Sequence, residues 1–202
     1  DGTSPYRIDE VVRDFGYSMG PFQMFDLAGG DIGWANRKRK ATTRDPRERY
    51  VEIADRLCER GWFGQKTGRG FYLYEEGSRI GIEDPEVLDI IAGERSTKGI
   101  RAREFSPEEI IRRYLWAMVN EAAKVLEEKV ARCPSDIDVV QHYGYGFPRY
   151  RGGPMKYADM YGIRKIVEDI EEFSVEDPFF WKPSELLKTM AAQGQTFEDL
   201  NQ

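Results

Sequence analysis

An internal repeat constrains this chain most, because a duplicated segment implies two copies of one structural unit. Residues 18–29 read SMGPFQMFDLAG and residues 152–162 read GGPMKYADMYG. In both copies Gly-Pro is followed by four residues, Asp, two residues and Gly. The preceding segments, SPYRIDEVVRDFGY (4–17) and CPSDIDVVQHYGY (133–145), share Pro, Ile-Asp, Val and Gly-Tyr with one residue of slippage. The sequence therefore predicts two successive units of similar design, the second with an insertion, GFPRYRGGP, where the first has SMGP.

Helical periodicity dominates both units, whereas strand signals are weak. Pro21 and Pro154 stand where a helix tolerates proline, in its first turn. The predicted helices of this group cover about 8–15, 22–36, 84–92, 136–143, 154–172 and 184–193. The pattern predicts an all-α fold.

Two further helices have explicit start signals. Asp45-Pro46-Arg47-Glu48 combines an N-cap, proline at the first helical position and a capping-box glutamate. The helix predicted behind it ends before Gly61 and buries one stripe of side chains: Tyr50, Ile53, Ala54, Leu57 and Cys58. Ser106-Pro107-Glu108-Glu109 repeats the signal and predicts the longest helix, which ends at about Val130.

The segments between helices place the boundary between the units. Residues 61–85 are rich in glycine and aromatic side chains and predict a loop followed by a short extended segment, GFYLY. Residues 93–105 are polar and charged, which is typical of a linker. The predicted domains are therefore 1–100 and 101–202.

The composition argues against several classes of protein. No window of about 18 residues is apolar enough for a membrane span, which predicts a water-soluble chain. Cys58 and Cys133 lie far apart and are predicted to be buried thiols rather than a disulfide, as in a reducing intracellular compartment. The net charge of −6 disfavours general nucleic-acid binding, which needs a cationic surface. Two cysteines and one histidine do not make a recognisable metal site.

Three segments leave a functional and a structural interpretation open. The basic segment 36–49, NRKRKATTRDPRER, is either a solvated helix end or an anion-binding patch. In GQKTGRGFY (64–72), Lys66 and Arg69 either hold an anion or flank glycines that only let the chain turn. His142 is interpreted as structural rather than as a general base, because no local spacing pairs it with a carboxylate.

The segment SMGPF is the candidate binding segment of the first unit. Glycine lets a ligand approach the backbone, proline fixes the turn, and Met19 with Phe22 offers an apolar wall. The alternative is a helix start in which Met19, Phe22, Phe25 and Leu27 are simply core. The chain shows no glycine-rich dinucleotide cradle after a predicted strand, so no cofactor-binding residue is assigned.

These segments resemble a known family. IDEVVRDFGYSMGPFQMFDLAGGDIGW, GWFGQKTGRGFYLY and DIDVVQHYGYGFPRYRGGPMKYADMYG are similar, in order and over nearly the whole chain, to the C-terminal helical portion of the 3-hydroxyacyl-CoA dehydrogenases. Their tandem arrangement resembles the multifunctional β-oxidation enzymes, which join an enoyl-CoA hydratase/isomerase domain to the dehydrogenase. The resemblance implies two tandem helical units of the 6-phosphogluconate dehydrogenase C-terminal-domain-like type.

The resemblance also implies what this chain does not contain. In the family a Rossmann domain binds NAD and supplies a catalytic His-Glu pair, so no catalytic residue is assigned here. An Asn-Arg pair of the family belongs to a helix that would precede Asp1. In the second unit Arg112-Arg113 stands at that place and Asn120 is not the equivalent residue. The second unit is therefore expected to be a degenerate repeat that packs against the first.

For the first unit the resemblance assigns substrate contact to Met19, Gly20, Pro21 and Phe22, on the acyl-chain side of the cleft. The expected parent reaction is NAD-dependent oxidation of 3-hydroxyacyl-CoA to 3-oxoacyl-CoA. An upstream Rossmann domain and an enoyl-CoA hydratase domain are the expected partners within one polypeptide. This chain is expected to serve substrate contact and self-association and to be inactive alone.

The sequence also leaves an alternative class of protein open and predicts a compartment. The alternative to a dehydrogenase fragment is a non-catalytic helical dimerisation or assembly module. The C-terminal residues DLNQ are not a Ser-Lys-Leu address, which predicts a bacterial cytoplasm. The peroxisome is the alternative location for the parent family.

Overall fold

The computed structural model describes residues 1–201, which fall into two compact units. Unit 1 comprises residues 1–14 and 19–107, and unit 2 comprises residues 15–18 and the chain from Glu108 onward. The short segment 15–18 therefore belongs to unit 2, although its neighbours in the sequence belong to unit 1.

The elements of unit 1 are helices, a short β-ribbon and a closing helix: α1 (Pro5–Phe15), α2 (Pro21–Ala28), α3 (Gly30–Lys40), α4 (Ile53–Glu59), β1 (Tyr72–Tyr74), β2 (Gly81–Glu83) and α5 (Pro85–Thr97). β1 pairs with β2 in antiparallel register, with Tyr72 opposite Glu83 and Tyr74 opposite Gly81. The extended segment predicted in GFYLY is confirmed. Its partner β2 is missed because a strand this short shows no usable alternation.

The remaining helices are α6 (Pro107–Glu127), α7 (Pro134–Gly144), α8 (Pro154–Tyr161), α9 (Ile163–Ser174) and α10 (Glu185–Gln193). Short 3-10 turns lie at Arg149–Arg151 and Glu198–Leu200. The predominantly helical fold is confirmed, and the ribbon of unit 1 is the only sheet in residues 1–201.

Glycine interrupts two helices that the sequence predicts to be continuous. The predicted helix 22–36 is divided into α2 and α3 at Gly29, and 154–172 is divided into α8 and α9 at Gly162. Gly29 has φ 93° and ψ 121°, and Gly162 has φ 107° and ψ 117°. Side-chain-bearing residues rarely adopt this conformation, so glycine permits the break. The two copies of the repeat share one joint as well as one sequence pattern.

The helix start predicted at Asp45 is wrong. The Asp45 carboxylate accepts the N–H of Arg47 at 2.9 Å, and the Asp45 carbonyl accepts the N–H of Glu48 at 3.0 Å. These bonds close a turn, and α4 begins only at Ile53. Aspartate favours turns and helix N-caps by the same side-chain-to-backbone bond, so the sequence alone does not separate the two outcomes.

Each unit has buried aromatic and aliphatic side chains of its own. The buried cluster of unit 1 consists of Tyr6, Leu57, Phe71, Tyr72 and Val87. The largest fully buried side chains of unit 2 include Trp116, Phe147, Phe173, Phe197, Met155, Ile166, Ile170, Leu187 and Met190. Two sets of this size give each unit an apolar interior on which its helices pack.

The structure tests the predicted state of the two cysteines. Both cysteines are free thiols, and Cys58 is buried as predicted. Cys133 is only half-buried, so the prediction of a buried thiol is wrong there, because the residue precedes α7 at its N-cap. Within residues 1–201, no helix combines the length and the apolar character that crossing a bilayer requires.

Candidate functional site

The N-terminus of α2, which follows the predicted binding segment, is built against a buried carboxylate of α1. Asp9 is fully buried; its Oδ1 accepts the N–H of Phe22 at 2.8 Å, and its Oδ2 accepts the N–H of Gln23 at 2.9 Å. The first N–H groups of a helix have no partner within the helix, and here a side chain from another helix supplies one. Asp9 therefore fixes where α2 begins.

Gly20 makes this cap sterically feasible. A Cβ at Gly20 would lie 2.3 Å from Cγ and Oδ1 of Asp9, so no side chain fits there. The φ of Gly20, −80°, is open to any residue, so the close approach rather than the backbone conformation demands glycine. The N–H of Gly20 donates to Oε1 of Gln23 at 3.2 Å, and Arg13 donates to the same oxygen at 3.0 Å. The turn that leads into α2 is thus held by several polar contacts.

The structure brings Met19, Gly20, Pro21 and Phe22 together at the first turn of α2. Gly20 is buried, and the other three are half-buried. The Phe22 ring packs edge-on against Phe71 with ring centroids 4.6 Å apart, beside the buried cluster of unit 1. Phe22 is therefore partly a core residue. Substrate contact by the four residues stays a prediction.

The alternative interpretation, in which Met19, Phe22, Phe25 and Leu27 are simply core, is wrong for Leu27. Leu27 is 51% exposed, and Met24 on the same helix is 41% exposed. Phe25, by contrast, packs edge-on against Phe71 at 5.3 Å. A surface helix buries one stripe of its side chains, and the apolar residues of α2 exceed that stripe.

A second aspartate of the repeat holds a later segment of unit 1. Asp26 is fully buried and accepts the N–H of Phe71 and the N–H of Tyr72, each at 2.9 Å. The hydroxyl of Tyr74 donates to the same carboxylate at 3.0 Å. The hydroxyl of Tyr72 donates to Oδ2 of Asp9 at 2.8 Å. Tyr72 therefore joins the two aspartates, by its backbone to one and by its side chain to the other.

Unit 2 repeats both contacts. Asp138 of α7 accepts the N–H of Met155 at 2.7 Å and the N–H of Lys156 at 3.1 Å, which caps α8. Asp159 of α8 accepts the N–H of Phe197 at 2.7 Å and the N–H of Glu198 at 3.0 Å. The two aspartates that the copies share thus make the same kinds of contact in both units.

Burial opposes the ionisation of all these carboxylates. Loss of hydration raises the pKa of Asp9 and of Asp26 above the usual range, against hydrogen bonds that lower it. Burial raises the pKa of Asp138 to about 6, and the two N–H donors of α8 again act in the opposite direction. Burial also raises the pKa of Tyr72, whose hydroxyl therefore keeps its proton as a donor to Asp9.

Sequence reasoning missed the capping role of Asp9 and Asp138. The Ile-Asp that both copies share is the signal from which this role can be inferred, because a polar residue that recurs among apolar helix positions needs a hydrogen-bond partner. Tyr72 was missed for another reason. It lies in unit 1 alone, and no repeat marks it.

The glycine-rich segment 64–70 is filled rather than open. A Cβ at Gly64 would lie 2.2 Å from the carbonyl oxygen of Asp26, and one at Gly70 would lie 2.1 Å from its Oδ1. Lys66 forms an ion pair with Asp31 at 2.5 Å. The glycines let this segment pack tightly on α2, so the structural interpretation is favoured.

Arg69 is likewise committed within unit 1. Its guanidinium binds the buried carboxylate of Asp84 at 2.7 Å and Glu86 at 2.9 Å. It also stacks over the ring of Trp62, 3.6 Å from the centroid. A cation held on both sides in this way is not available to a diffusible anion.

Carboxylates and aromatic rings also engage much of the basic segment 36–49. The cations and their partners are Arg37 with Asp55, Arg47 with Asp45, Arg49 with Asp1, Arg44 over the Tyr50 ring and Lys38 over the Trp34 ring. Two of these side chains, Arg37 and Lys38, stand in the last turn of α3, where the helix dipole favours positive charge. The contacts favour the helix-end interpretation.

In unit 2, Arg112 stands where the resemblance places an asparagine. Asp169 accepts hydrogen bonds from Arg112 at 2.6 Å, from the Trp116 indole at 2.8 Å and from the Tyr161 hydroxyl at 3.1 Å. This position therefore belongs to an internal cluster of α6, α8 and α9. Asn120 is structural too, since its amide donates to the Lys182 carbonyl at 2.9 Å.

His142 packs within unit 2. Its Nδ1 lies 3.2 Å from the carbonyl oxygen of Phe147, and the two rings meet edge-on with centroids 6.1 Å apart. These contacts favour the structural interpretation. Asp138 lies one helical turn earlier in α7, but its two oxygens accept the N–H groups of Met155 and Lys156.

The insertion of the second copy fastens the segment 15–18 within unit 2. The hydroxyl of Tyr150 and the Nε of Arg151 both donate to the carbonyl of Phe15, at 3.0 and 2.8 Å. The Phe147 ring packs edge-on against Phe15 with centroids 6.1 Å apart. The insertion thus has a structural role that the sequence analysis does not assign.

The geometry defines a class of protein with a duplicated helical unit. In each unit an aspartate of one helix, α1 or α7, caps the next helix, and an aspartate of that next helix holds a later segment. The family described as 3-hydroxyacyl-CoA dehydrogenase, C-terminal domain, matches residues 1–74 and 110–199. The chain belongs to this family.

Individual relatives agree with the family match. The chain is 42% identical to the peroxisomal bifunctional enzyme of Danio rerio, over 96% of the chain and 29% of the relative. It is 36% identical to the peroxisomal fatty acid beta-oxidation multifunctional protein AIM1 of Arabidopsis thaliana, over 98% of the chain and 28% of the relative. The chain thus spans less than a third of the length of these curated relatives.

A solved structure supports the fold. The dehydrogenase part of multifunctional enzyme 1 from C. elegans superposes with a TM-score of 0.72 at 28% identity. The alignment covers 93% of this chain and 42% of that one. The helical architecture and its order along the chain are therefore those of a dehydrogenase C-terminal region.

Proposed function

We propose that this chain is the C-terminal, substrate-side region of a longer NAD-dependent 3-hydroxyacyl-CoA dehydrogenase of fatty-acid β-oxidation. The parent reaction is oxidation of 3-hydroxyacyl-CoA to 3-oxoacyl-CoA. The observation that carries the proposal is the match of one dehydrogenase domain family to both 1–74 and 110–199. Relatives named as bifunctional or multifunctional enzymes support the wider parent polypeptide.

NAD does not fit the residues of this chain. The glycine-rich segment 64–70 is occupied by the backbone and carboxylate of Asp26, and Lys66 and Arg69 are bound to carboxylates. NAD accepts a hydride in the parent reaction, and a Rossmann domain outside this chain is the proposed binding site. An enoyl-CoA hydratase domain is the second proposed partner in the polypeptide.

The proposed contribution of unit 1 is an apolar wall beside the acyl chain. Met19, Pro21 and Phe22 are half-buried at the start of α2, so part of each remains available to a ligand. An apolar wall orders the acyl chain and removes water from it. The substrate is proposed to bind between this wall and an NAD-binding domain. Acyl-chain binding and NAD binding are then carried out by different domains.

The proposed contribution of unit 2 is structural. The shared caps support an origin by duplication, with the copies corresponding to the predicted domains 1–100 and 101–202. The Arg112–Asp169 cluster fills the position that an asparagine takes in the resemblance. We therefore assign no substrate contact to unit 2.

The proposed compartment of the parent is the peroxisome rather than a bacterial cytoplasm. Both curated relatives described above have peroxisomal names, which supports this choice. Imaging of the tagged parent protein in its own cells tests it. Diffuse cytosolic signal overturns the assignment.

Activity measurements test the division of labour. Purified residues 1–202, incubated with 3-hydroxybutyryl-CoA and NAD, are expected to form no NADH, whereas the parent protein forms it. NADH formation by the fragment alone contradicts the proposal. If the parent is also inactive, the non-catalytic assembly module replaces the enzyme as the better interpretation.

A pair of methionine variants tests the wall. Met19→Ala in the parent is expected to lower kcat/KM for 3-hydroxyhexadecanoyl-CoA about fivefold, since each lost apolar contact costs roughly 1 kcal/mol. Met24→Ala removes an exposed side chain of α2 outside the wall, and kcat/KM is expected to stay unchanged. Equal effects of the two variants contradict the assignment.

A further inference from the structure

We infer that Asp9 is a positioning residue for acyl-chain recognition, acting through the start of α2 and not by touching the substrate. The inference rests on the proposed wall formed by Met19–Phe22. Asp9 is fully buried on α1, and its two carboxylate oxygens bind the N–H groups of Phe22 and Gln23. It is the buried polar group that the backbone of the wall contacts directly.

Only a carboxylate satisfies this arrangement. Both oxygens of Asp9 accept hydrogen bonds, and one of them also accepts the Tyr72 hydroxyl at 2.8 Å. Asparagine has the same shape but presents an NH2 group at one position, so a donor would face a backbone donor. The start of α2 must then shift, or one N–H of the wall loses its partner.

The close approach at Gly20 transmits any such shift to the wall. The Cα of Gly20 lies so near Asp9 that a Cβ would be 2.3 Å from the carboxylate. The same Cβ would be 2.4 Å from the Asp9 Cα, so the backbone of α1 and the turn at Gly20 are in direct contact. A displacement of about 1 Å at a binding surface is enough to change catalytic efficiency by an order of magnitude or more.

Tyr72 extends the same control to the ring of Phe22. Its hydroxyl binds Asp9 and its backbone N–H binds Asp26, while the neighbouring Phe71 ring packs on Phe22 at 4.6 Å. The backbone and the side chain of Phe22 are therefore set by connected contacts. Removing the Tyr72 hydroxyl weakens one link without removing the cap.

Unit 2 offers a matched control. Asp138 caps α8 by the same two bonds, to Met155 and Lys156, beside Gly153. We assign no substrate contact to that helix. Asp9→Asn and Asp138→Asn therefore break equivalent caps, and only the first is expected to affect recognition of the acyl chain.

The experiment compares two substrates in the parent enzyme. The ratio of kcat/KM for 3-hydroxyhexadecanoyl-CoA to that for 3-hydroxybutyryl-CoA measures recognition of the chain apart from the chemistry. Asp9→Asn is expected to lower this ratio about tenfold, mainly through a higher KM for the long substrate. Asp138→Asn is expected to leave the ratio unchanged. Tyr72→Phe is expected to lower it about threefold, or roughly 0.7 kcal/mol, and it keeps the inference testable if Asp9→Asn does not fold.

The outcomes separate this inference from the proposed function. If Met19→Ala changes the ratio and neither Asp9→Asn nor Tyr72→Phe does, the wall stands and the positioning role is overturned. If Met19→Ala leaves the ratio unchanged, the wall itself is wrong. Equal falls for Asp9→Asn and Asp138→Asn show a general loss of stability and also overturn the inference.

Discussion

The two capped helices, α2 in unit 1 and α8 in unit 2, are built on the same plan but in different surroundings. Asp9 and Asp138 each bind two consecutive backbone N–H groups, beside a glycine that leaves no room for a side chain. Asp9 is fully buried and linked through Tyr72 to a second aspartate, whereas Asp138 is half-buried. The shared contacts belong to the fold, and the differences show where one copy has acquired its own constraints.

The comparison also extends to the second aspartate of each repeat. Asp26 receives three hydrogen bonds and is fully buried, but Asp159 receives two from Phe197 and Glu198 and is half-buried. A carboxylate in a drier setting depends more strongly on each donor. Unit 1 is therefore expected to tolerate changes at its aspartates less well than unit 2.

The largest expected effect comes from the glycines beside the caps, and it is larger in unit 2. Gly153→Ala meets both the Asp138 carboxylate and a φ of 91°, so we expect unit 2 to lose more than about 3 kcal/mol. At Gly20 the φ is an ordinary −80°, so only the close approach opposes Gly20→Ala, whose Cβ would lie 2.3 Å from the Asp9 carboxylate and 2.4 Å from the Asp9 Cα; about 2 kcal/mol is expected. Native-state hydrogen exchange of amides in α2 and α8 measures the two losses separately. A greater loss for Gly20→Ala contradicts the role assigned to backbone conformation.

The next largest effect on unfolding free energy is expected from replacing the second aspartate of each repeat, Asp26 or Asp159. Asp26→Asn is expected to destabilise unit 1 by about 3 kcal/mol. The buried carboxylate accepts three hydrogen bonds, and the NH2 group of asparagine would point a donor at one of these donors. Asp159→Asn is expected to cost about 1.5 kcal/mol, since solvent can satisfy part of what is lost. Urea unfolding of both variants, with exchange protection of Phe71 and Phe197 as local reporters, gives the comparison. Equal costs mean that the difference in burial is unimportant.

The fold is predictable from the sequence where periodicity and proline mark it. The signal at Ser106-Pro107 correctly gives α6, and GFYLY correctly gives β1. The break at Gly29 is not predicted, although its glycine pair is visible, because the residues on both sides of it form helix. Asp45 shows the opposite failure, in which a convincing N-cap pattern closes a turn instead.

The site is predictable in composition but not in contacts. The repeat points to Gly20 and to Asp26, yet what lies against them is set by tertiary structure. Asp9 and Phe22 are thirteen residues apart, and Asp26 and Phe71 are forty-five apart. Pairings across such separations depend on how helices pack, which one sequence does not encode in any local pattern.

A smaller effect is the pH dependence of the stability of unit 2, which is expected from Asp138 at the cap of α8. Burial raises the pKa of Asp138 to about 6, above the ordinary value of 3.8. Between those pH values the folded protein holds a proton that the unfolded chain releases, so stability of unit 2 falls as pH rises from about 4 to about 6. Asp138→Asn is expected to remove that dependence.

Carboxyl NMR titration provides both the measurement and its internal control. The Asp138 carbon is expected to titrate with a midpoint of about 6. Asp45, whose pKa the hydrogen bonds from Arg47 lower to about 2, is expected to titrate far below it in the same spectra. A midpoint for Asp138 below 4 shows that the N–H donors of α8 outweigh burial, which reverses the sign of the stability change.

The smallest effect is expected from the lysines near the two repeats. Lys66 pairs with Asp31 in unit 1, and Lys156 lies 3.4 Å from Glu198 in unit 2, with all four side chains largely exposed. Exposed ion pairs contribute about 0–1 kcal/mol, so Lys66→Ala and Lys156→Ala are each expected to change unfolding free energy by less than about 0.5 kcal/mol. Urea unfolding at low and high salt measures this. The aliphatic part of the Lys66 side chain packs over Gly29, where an added Cβ would lie 3.0 Å from its Cε. A larger loss for Lys66→Ala therefore means that the packing of 64–70 on α2 depends on the Lys66 side chain as well as on the glycines.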